Sequence, residues 1–302
     1  MSFLLKNPGW YIITNEEHHS QAAISSTGLK MFCQSPNRYY HKYVKRDWHS
    51  DSYSSAFLIG TCVHMFLLEP ERAEMSIAYT PERSTTKKYK EFVLERFHDV
   101  EWDHPQNSAG RFMTTSGSSV YVVSESVYEQ IWQMVKCAHD HKTFMALANS
   151  AEKESSGFVK YGDDWLSCRG DLRGERNGFG YFVDIKTIDN INEYALQSQL
   201  FSLGYHIQHL HYLHVANLIE DSSKLRDEPL YKAFYFFFIE KSFPHECRLV
   251  HLDMSPEESR ILQTKYLEKL HELQKCRKNN QWQSSETCGR IRVPGWVLDR
   301  LI

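Results

Sequence analysis

The stretch 230–240, Leu-Tyr-Lys-Ala-Phe-Tyr-Phe-Phe-Phe-Ile-Glu, constrains the fold more than any other part of the chain. It is apolar without alternation, which predicts a strand covered on both faces. Such a strand needs helical layers above and below it, and the neighbouring segments supply them. A helical pattern runs over 192–218, and Ser255-Pro256-Glu257-Glu258 forms a capping box that starts a helix reaching about Lys278. Ahead of these lies a meander of short strands at 156–161, 165–172 and 179–187, with turns at Gly162-Asp163-Asp164 and Arg176-Asn177-Gly178. Helices alternating with such strands predict an α/β fold, a mixed β-sheet flanked by helices, in a single domain over 1–302.

The meander places Asp171 and Asp184 on adjacent antiparallel strands, and Asp184 opens an Asp-x-Lys triplet. Alternate residues of a strand share a face, so Asp184 and Lys186 point one way while Ile185 enters the core and offers only its carbonyl. Two carboxylates and a carbonyl suit a hard ion such as Mg²⁺, with Mn²⁺ as a substitute. An ammonium beside them can hold a water and help to deprotonate it.

A formal charge of −3 excludes a globally basic nucleic-acid coat, so any DNA surface has to be a local patch. The seven cysteines, Cys33, Cys62, Cys137, Cys168, Cys247, Cys276 and Cys288, never form a Cys-x-x-Cys pair. That points to a reducing cytoplasm and away from zinc or an iron–sulfur cluster. No run approaches the roughly 18 apolar residues of a membrane span.

Near the N-terminus, Ser25-Ser26-Thr27 caps a helix carrying Leu29, Met31 and Phe32, and Ser35-Pro36 starts another through Arg46. Arg38 and Lys42 on that second helix suit either a solvated face or contacts to phosphates. The segment 54–69 is apolar nearly all round and predicts a buried helix, on which Gly60 and His64 share one face. His64 by itself reads as a core histidine or as a ligand. The region 80–119 is less regular: Lys87, Lys88 and Lys90 open a short amphipathic helix, and Thr114-Thr115-Ser116-Gly117-Ser118-Ser119 predicts a flexible loop. A helix is expected over 127–147, and Gln208 and Tyr212 lie one turn apart in the later helical stretch.

Taken in order, the Gly-x-x-x-His helix, the Asp171 and Asp184-x-Lys186 strands and the Gln-x-x-x-Tyr helix resemble the PD-(D/E)XK nuclease superfamily, most of all its RecE-like (exonuclease VIII) nuclease domains. Phe57 to His64, Leu67 to Arg72, Ser35 to Tyr39, Gly204 to Gln208 and the terminal Arg292-Val293-Pro294-Gly295-Trp296 all share in the likeness, which spans most of the chain from about residue 24. The resemblance implies a restriction-endonuclease-like core and a catalytic trio of Asp171, Asp184 and Lys186. It also implies metal ligation by His64, Asp171, Asp184 and the Ile185 carbonyl. Gln208 and Tyr212 would support the site or touch the DNA backbone, with Arg38, Lys42, Lys87, Lys88, Arg169 and Arg173 as candidate phosphate contacts. It further implies 5′-to-3′ digestion of linear duplex DNA, a ring-shaped homotetramer and a RecT-like single-strand annealing partner. Gly170 stands where relatives carry proline or a bulkier residue, which predicts a looser strand before Asp171.

Three other readings compete. A structure-specific or CRISPR-associated endonuclease of the same superfamily is one, although the four-cysteine cluster of the latter is absent. The second is a DNA-binding module without turnover, although all four charged site residues are retained. Glycoside hydrolysis suits the carboxylates but not a lysine two residues from the base.

Overall fold

The computed structural model describes residues 5–48, 55–107, 110–221 and 229–282. Arg292 to Trp296 and Cys288 lie outside them. The chain begins with β1 (Gly9–Tyr11), α1 (Asn15–Ser20), β2 (Ala23–Ser25), α2 (Ser26–Gln34) and α3 (Pro36–Tyr39), the last continuing as a π-helical turn, Tyr40–Lys45. Next come α4 (Ser55–Leu68), α5 (Pro70–Ser76), β3 (Ile77–Thr80), α6 (Lys87–Arg96), β4 (Arg111–Met113), β5 (Ser119–Ser124), α7 (Glu125–Asp140) and α8 (Lys142–Ala148). The second half holds β6 (Glu152–Tyr161), β7 (Asp164–Arg176), β8 (Phe179–Ile188), α9 (Glu193–Ser202), α10 (Tyr205–Asp221), β9 (Tyr231–Glu240), β10 (Cys247–His251) and α11 (Pro256–Asn279).

The main sheet has seven strands in the order β1-β6-β7-β8-β9-β10, with β2 pairing parallel to β7. The β8–β9 pair is parallel and the pairs on either side of it are antiparallel, so the sheet is mixed as expected. A two-residue turn, Asn177 at φ 54° and Gly178 at φ 79°, joins β7 to β8. Positive φ at both central residues is the hairpin geometry that matches strand twist, and Asn-Gly adopts it readily. That turn fixes the register, with Arg176 opposite Phe179 and Leu172 opposite Val183. The ladder ends at that pair, next to Asp171 on one strand and Asp184 on the other.

β9 is covered on both faces, as its composition predicts. Phe234, Phe236 and Phe238 pack with Leu29 of α2, Tyr212 and Val215 of α10 and Tyr266 of α11. Phe237 and Ile239 pack with Val63 of α4, Ile131 of α7, Phe144 of α8 and Ile185 of β8. The period of two thus sorts one aromatic strand between two helical layers. In β8, Phe182 joins the first layer and Val183 and Ile185 the second, so Asp184 and Lys186 face α2 and α10 while Ile185 is buried toward α4.

Four expectations are revised. The 192–218 helix is two helices, because Gly204 takes φ +66° and breaks the chain direction between α9 and α10. The 127–147 helix likewise ends at Asp140, and His141 Nδ1 accepts the Phe144 amide to cap α8. The region 80–119 carries α6 and strands of a second sheet, ordered β3-β5-β4, closed over Tyr89, Val93, Phe97, Phe112 and Val122. Thr114 to Ser118 is there a tight hydrogen-bonded turn. Finally, Gly170 does not loosen its strand: the Phe182 ring covers it, and a Cβ at 170 would meet Phe182 Cδ1 at 2.7 Å. Among the described residues no helix is long and apolar enough to cross a membrane.

Candidate active site

Asp171, Asp184 and Lys186 at the β7–β8 hairpin, His64 of α4 and Gln208 of α10 line one cavity of about 870 Å³. Each is tied to another by a direct contact. Gln208 Nε2 donates to Asp184 Oδ1 at 2.6 Å. Lys186 Nζ lies 2.5 Å from Asp184 Oδ2 as an ion pair. The Ile185 amide donates to Asp171 Oδ2 at 2.6 Å, and His64 Nε2 lies 2.9 Å from the Ile185 carbonyl and 3.3 Å from the same Asp171 oxygen. The Asp-x-Lys strand therefore offers exactly the elements its alternation predicts: two side chains inward and the carbonyl between them toward α4.

Tyr212 sits one turn after Gln208 and donates to the Arg169 carbonyl at 2.8 Å, pinning β7 two residues before Asp171. A third carboxylate completes the site. Glu154 on β6 presents an oxygen within 4.8 Å of ligand atoms of His64 and Asp171. Its backbone has φ 53°, which is costly for a residue with a Cβ and is found most often where function requires it. Arg169 holds Glu154 at 2.6 Å and also donates to the Ile13 carbonyl and Ser156 Oγ. Three carboxylates, an imidazole and a free carbonyl lone pair form a donor set that fits a hard divalent cation.

Electrostatics agree with that fit. Burial pushes the Asp171 carboxyl up to about 7, against the pull of His64 and with the help of Asp184's charge. Burial would lower His64, but the Asp171 charge and the Ile185 carbonyl outweigh it and raise the imidazole. The two groups hold a proton between them. Lys186 is disfavoured by burial, yet Asp184 and Asp171 raise it well above the ordinary lysine range, so it remains an ammonium rather than a base.

No curated protein matches the chain. A family profile described as a PDDEXK-like domain of unknown function, DUF3799, matches residues 25–294. The chain belongs to this family. Its fold is also that of the crystal structure of a "putative exonuclease" from Eubacterium rectale, at 15% identity and a TM-score of 0.54, over 96% of this chain and 98% of that one. PDDEXK domains generally work with divalent metals, consistent with the carboxylate and histidine cluster.

As a PDDEXK-like domain, the chain distributes its cations unevenly around this cavity. Arg173 is taken up by the sheet: it donates to Ser155 Oγ and Tyr231 Oη, pairs with Glu152 and lies 4.1 Å from the centroid of the Trp10 ring. Its expected phosphate contact is therefore replaced by a role bracing β6, β7 and β9. Arg169 reaches the cavity wall, with Nε engaged by Glu154 and Nη1 by Ser156 and Ile13. Arg38, Lys42, Lys87 and Lys88 are exposed and do not line the cavity; Lys87 pairs with Glu91 at 3.3 Å. Lys42 stands close enough to His19, a cavity residue, to depress it along with burial and Arg169. The sequence reading missed Glu154, Lys30 and Tyr205, all of which line the cavity. Glu154 lies between Lys153 and Ser155, which pair with Leu172 and Gly170 on either side of Asp171, a placement that no local sequence signal announces.

Proposed function

We propose that the chain is a divalent-metal-dependent nuclease that hydrolyses phosphodiester bonds of linear double-stranded DNA from its ends. The convergence of His64, Asp171, Asp184 and Lys186 in one cavity, with Gln208 locking the Asp184 carboxylate, carries this reading. His64, Asp171, Asp184 and the Ile185 carbonyl would hold Mg²⁺ or Mn²⁺, with Glu154 as a further oxygen donor. The bound ion would supply charge neutralisation at the phosphate and acidify water. Lys186, kept cationic by the aspartates, donates N–H bonds and offsets negative charge as it grows on the phosphate oxygens. Gln208 prevents the Asp184 carboxylate from rotating, and Tyr212 fixes the strand that presents Asp171.

The likeness to RecE-type domains, and the exonuclease description of the Eubacterium rectale protein, favour end-dependent digestion over internal cutting. The same likeness extends the proposal to 5′-to-3′ polarity, a homotetrameric ring, a RecT-like annealing partner and recombination of phage or prophage DNA in the cytoplasm. Linear, nicked circular and closed circular duplexes incubated with the protein and Mg²⁺ separate these ideas on a gel. Loss of the linear form alone is expected; cutting of closed circles would make it an endonuclease.

The proton held by Asp171 and His64 has to leave before a cation can bind. Metal affinity is therefore expected to tighten by up to about tenfold per pH unit while that proton is still held, and to level off once it has left. The sign for stability is opposite in the ion-free protein. Asp171 is raised from 3.8 to about 7, so the folded chain holds a proton the unfolded chain has released, and stability declines as pH rises through that window. Calorimetric Mg²⁺ titrations at several pH values check the first point, and an affinity independent of pH would refute it.

A further inference from the structure

The cavity contains a second shielded cation that the mechanism above does not use. Lys30 extends from the middle of α2, and its methylenes lie against Gly204, where an added Cβ would meet Lys30 Cδ at 2.9 Å. Its ammonium stands 5.4 Å from the centroid of the Tyr205 ring. The same ring carries the Lys186 ammonium at 5.3 Å. Lys186 is neutralised by Asp184, whereas Lys30 has no carboxylate within 4.0 Å among the described residues. Burial, and then the charge of Lys186, lower Lys30 to about 8 against the weaker opposing pull of Asp184. A cation placed beside another, half-buried and with no carboxylate in contact, is a cost that the fold alone does not explain. Stem packing over Gly204 would be served as well by methionine.

We propose that Lys30 binds a phosphate oxygen of the DNA strand, so that two ammoniums sharing the Tyr205 ring grip the substrate from one wall of the cavity. The inference rests on the nuclease reading and adds a substrate-binding residue to it. An anionic phosphate entering between the strands and α2 supplies the counterion that Lys30 lacks, and the aromatic ring holds both ammoniums in place by cation–π attraction. The phosphate could be an internal diester or a terminal monoester, since both present the same oxygens.

Binding of short duplexes with 5′-phosphate or 5′-hydroxyl ends, measured by fluorescence anisotropy in Ca²⁺ over about 50 to 200 mM salt, tests this. Lys30→Met is expected to weaken binding on the order of tenfold and to make the slope of log affinity against log salt shallower by about 0.9. Lys30→Arg should restore both. Equal loss on the two duplexes assigns the contact to an internal diester, and loss confined to the phosphorylated one assigns it to the terminal group. Unchanged affinity and slope in Lys30→Met would overturn the proposal while the nuclease reading stands. Failure of the unaltered protein to bind either duplex would remove both. Should Lys30→Met melt well below the parent, Lys30→Gln, which retains a polar end, provides the same comparison.

Discussion

Asp184→Asn is expected to lower DNA cleavage by about 10³-fold or more while leaving the fold standing. Asp184 is 3% exposed and touches both Gln208 and Lys186, so it joins the helix that positions the site to the cation that acts in it. Asparagine keeps an oxygen to accept the Gln208 N–H, but it places no negative charge against Lys186 and offers a weaker donor to a hard cation. Loss of a buried partner charge is commonly destabilising. Two features soften it here. The Lys186 side chain is 24% exposed and keeps Asp171 nearby, and removing Asp184's charge relieves one of the influences that raise Asp171. The melting temperature should thus move by only a few degrees. Initial rates on linear duplex and a thermal melt of the same preparation decide it; substantial cleavage by the folded variant would exclude Asp184 from the chemistry.

Phe237→Ala should have the largest effect on stability, about 3 to 5 kcal/mol. The ring is fully buried and stacks on Phe144, with centroids 3.8 Å apart and planes 5° from parallel. It stands opposite Ile185 in the parallel β8–β9 pair, at the centre of the layer that α4, α7 and α8 close. β9 cannot shift to fill the void without breaking the pairing that also carries Asp184 opposite Phe236. Urea unfolding followed by circular dichroism measures the loss. A change below about 1 kcal/mol would mean that this layer relaxes freely, contrary to the close packing of buried aromatic cores.

Much of this architecture was legible in the sequence where local chemistry decides the conformation. Asn177-Gly178 announces its hairpin, Ser25 and Ser255 cap the helices they precede, and the hairpin together with strand alternation brings Asp171, Asp184 and Lys186 to one face. The order of His64, the aspartates and Gln208 along the chain then supplies the remaining walls of the cavity. What escaped depends on contacts between distant segments. β1 is only three residues long and pairs with β6, Gly9 opposite Phe158, a register no local signal announces. In the second sheet over 77–124, the short strand β3 likewise pairs with β5 across the whole of α6, Ile77 opposite Tyr121.

The charged residues make the same point. Arg173 is a candidate phosphate contact in the sequence and Lys30 stands out in no way, yet the fold gives the first to Glu152, Tyr231 and Trp10 and leaves the second facing the cavity. Composition cannot distinguish a cation that braces a sheet from one that awaits an anion. Glu154 reaches the site through its unusual backbone and its place on β6 beside the segment of β7 that carries Asp171, neither of which is visible until the two strands are paired.

On the proposed function, the Asp171, Asp184 and Lys186 cavity hydrolyses DNA with the aid of a divalent cation. The most direct measurement is a time course of linear duplex with the purified protein in Mg²⁺ and in chelator, beside Lys186→Met. Progressive loss of DNA in Mg²⁺, abolished by chelator and by the substitution, is the predicted result. Cleavage that persists in chelator or in the variant, or duplex that stays intact while bound to the folded protein, would contradict it.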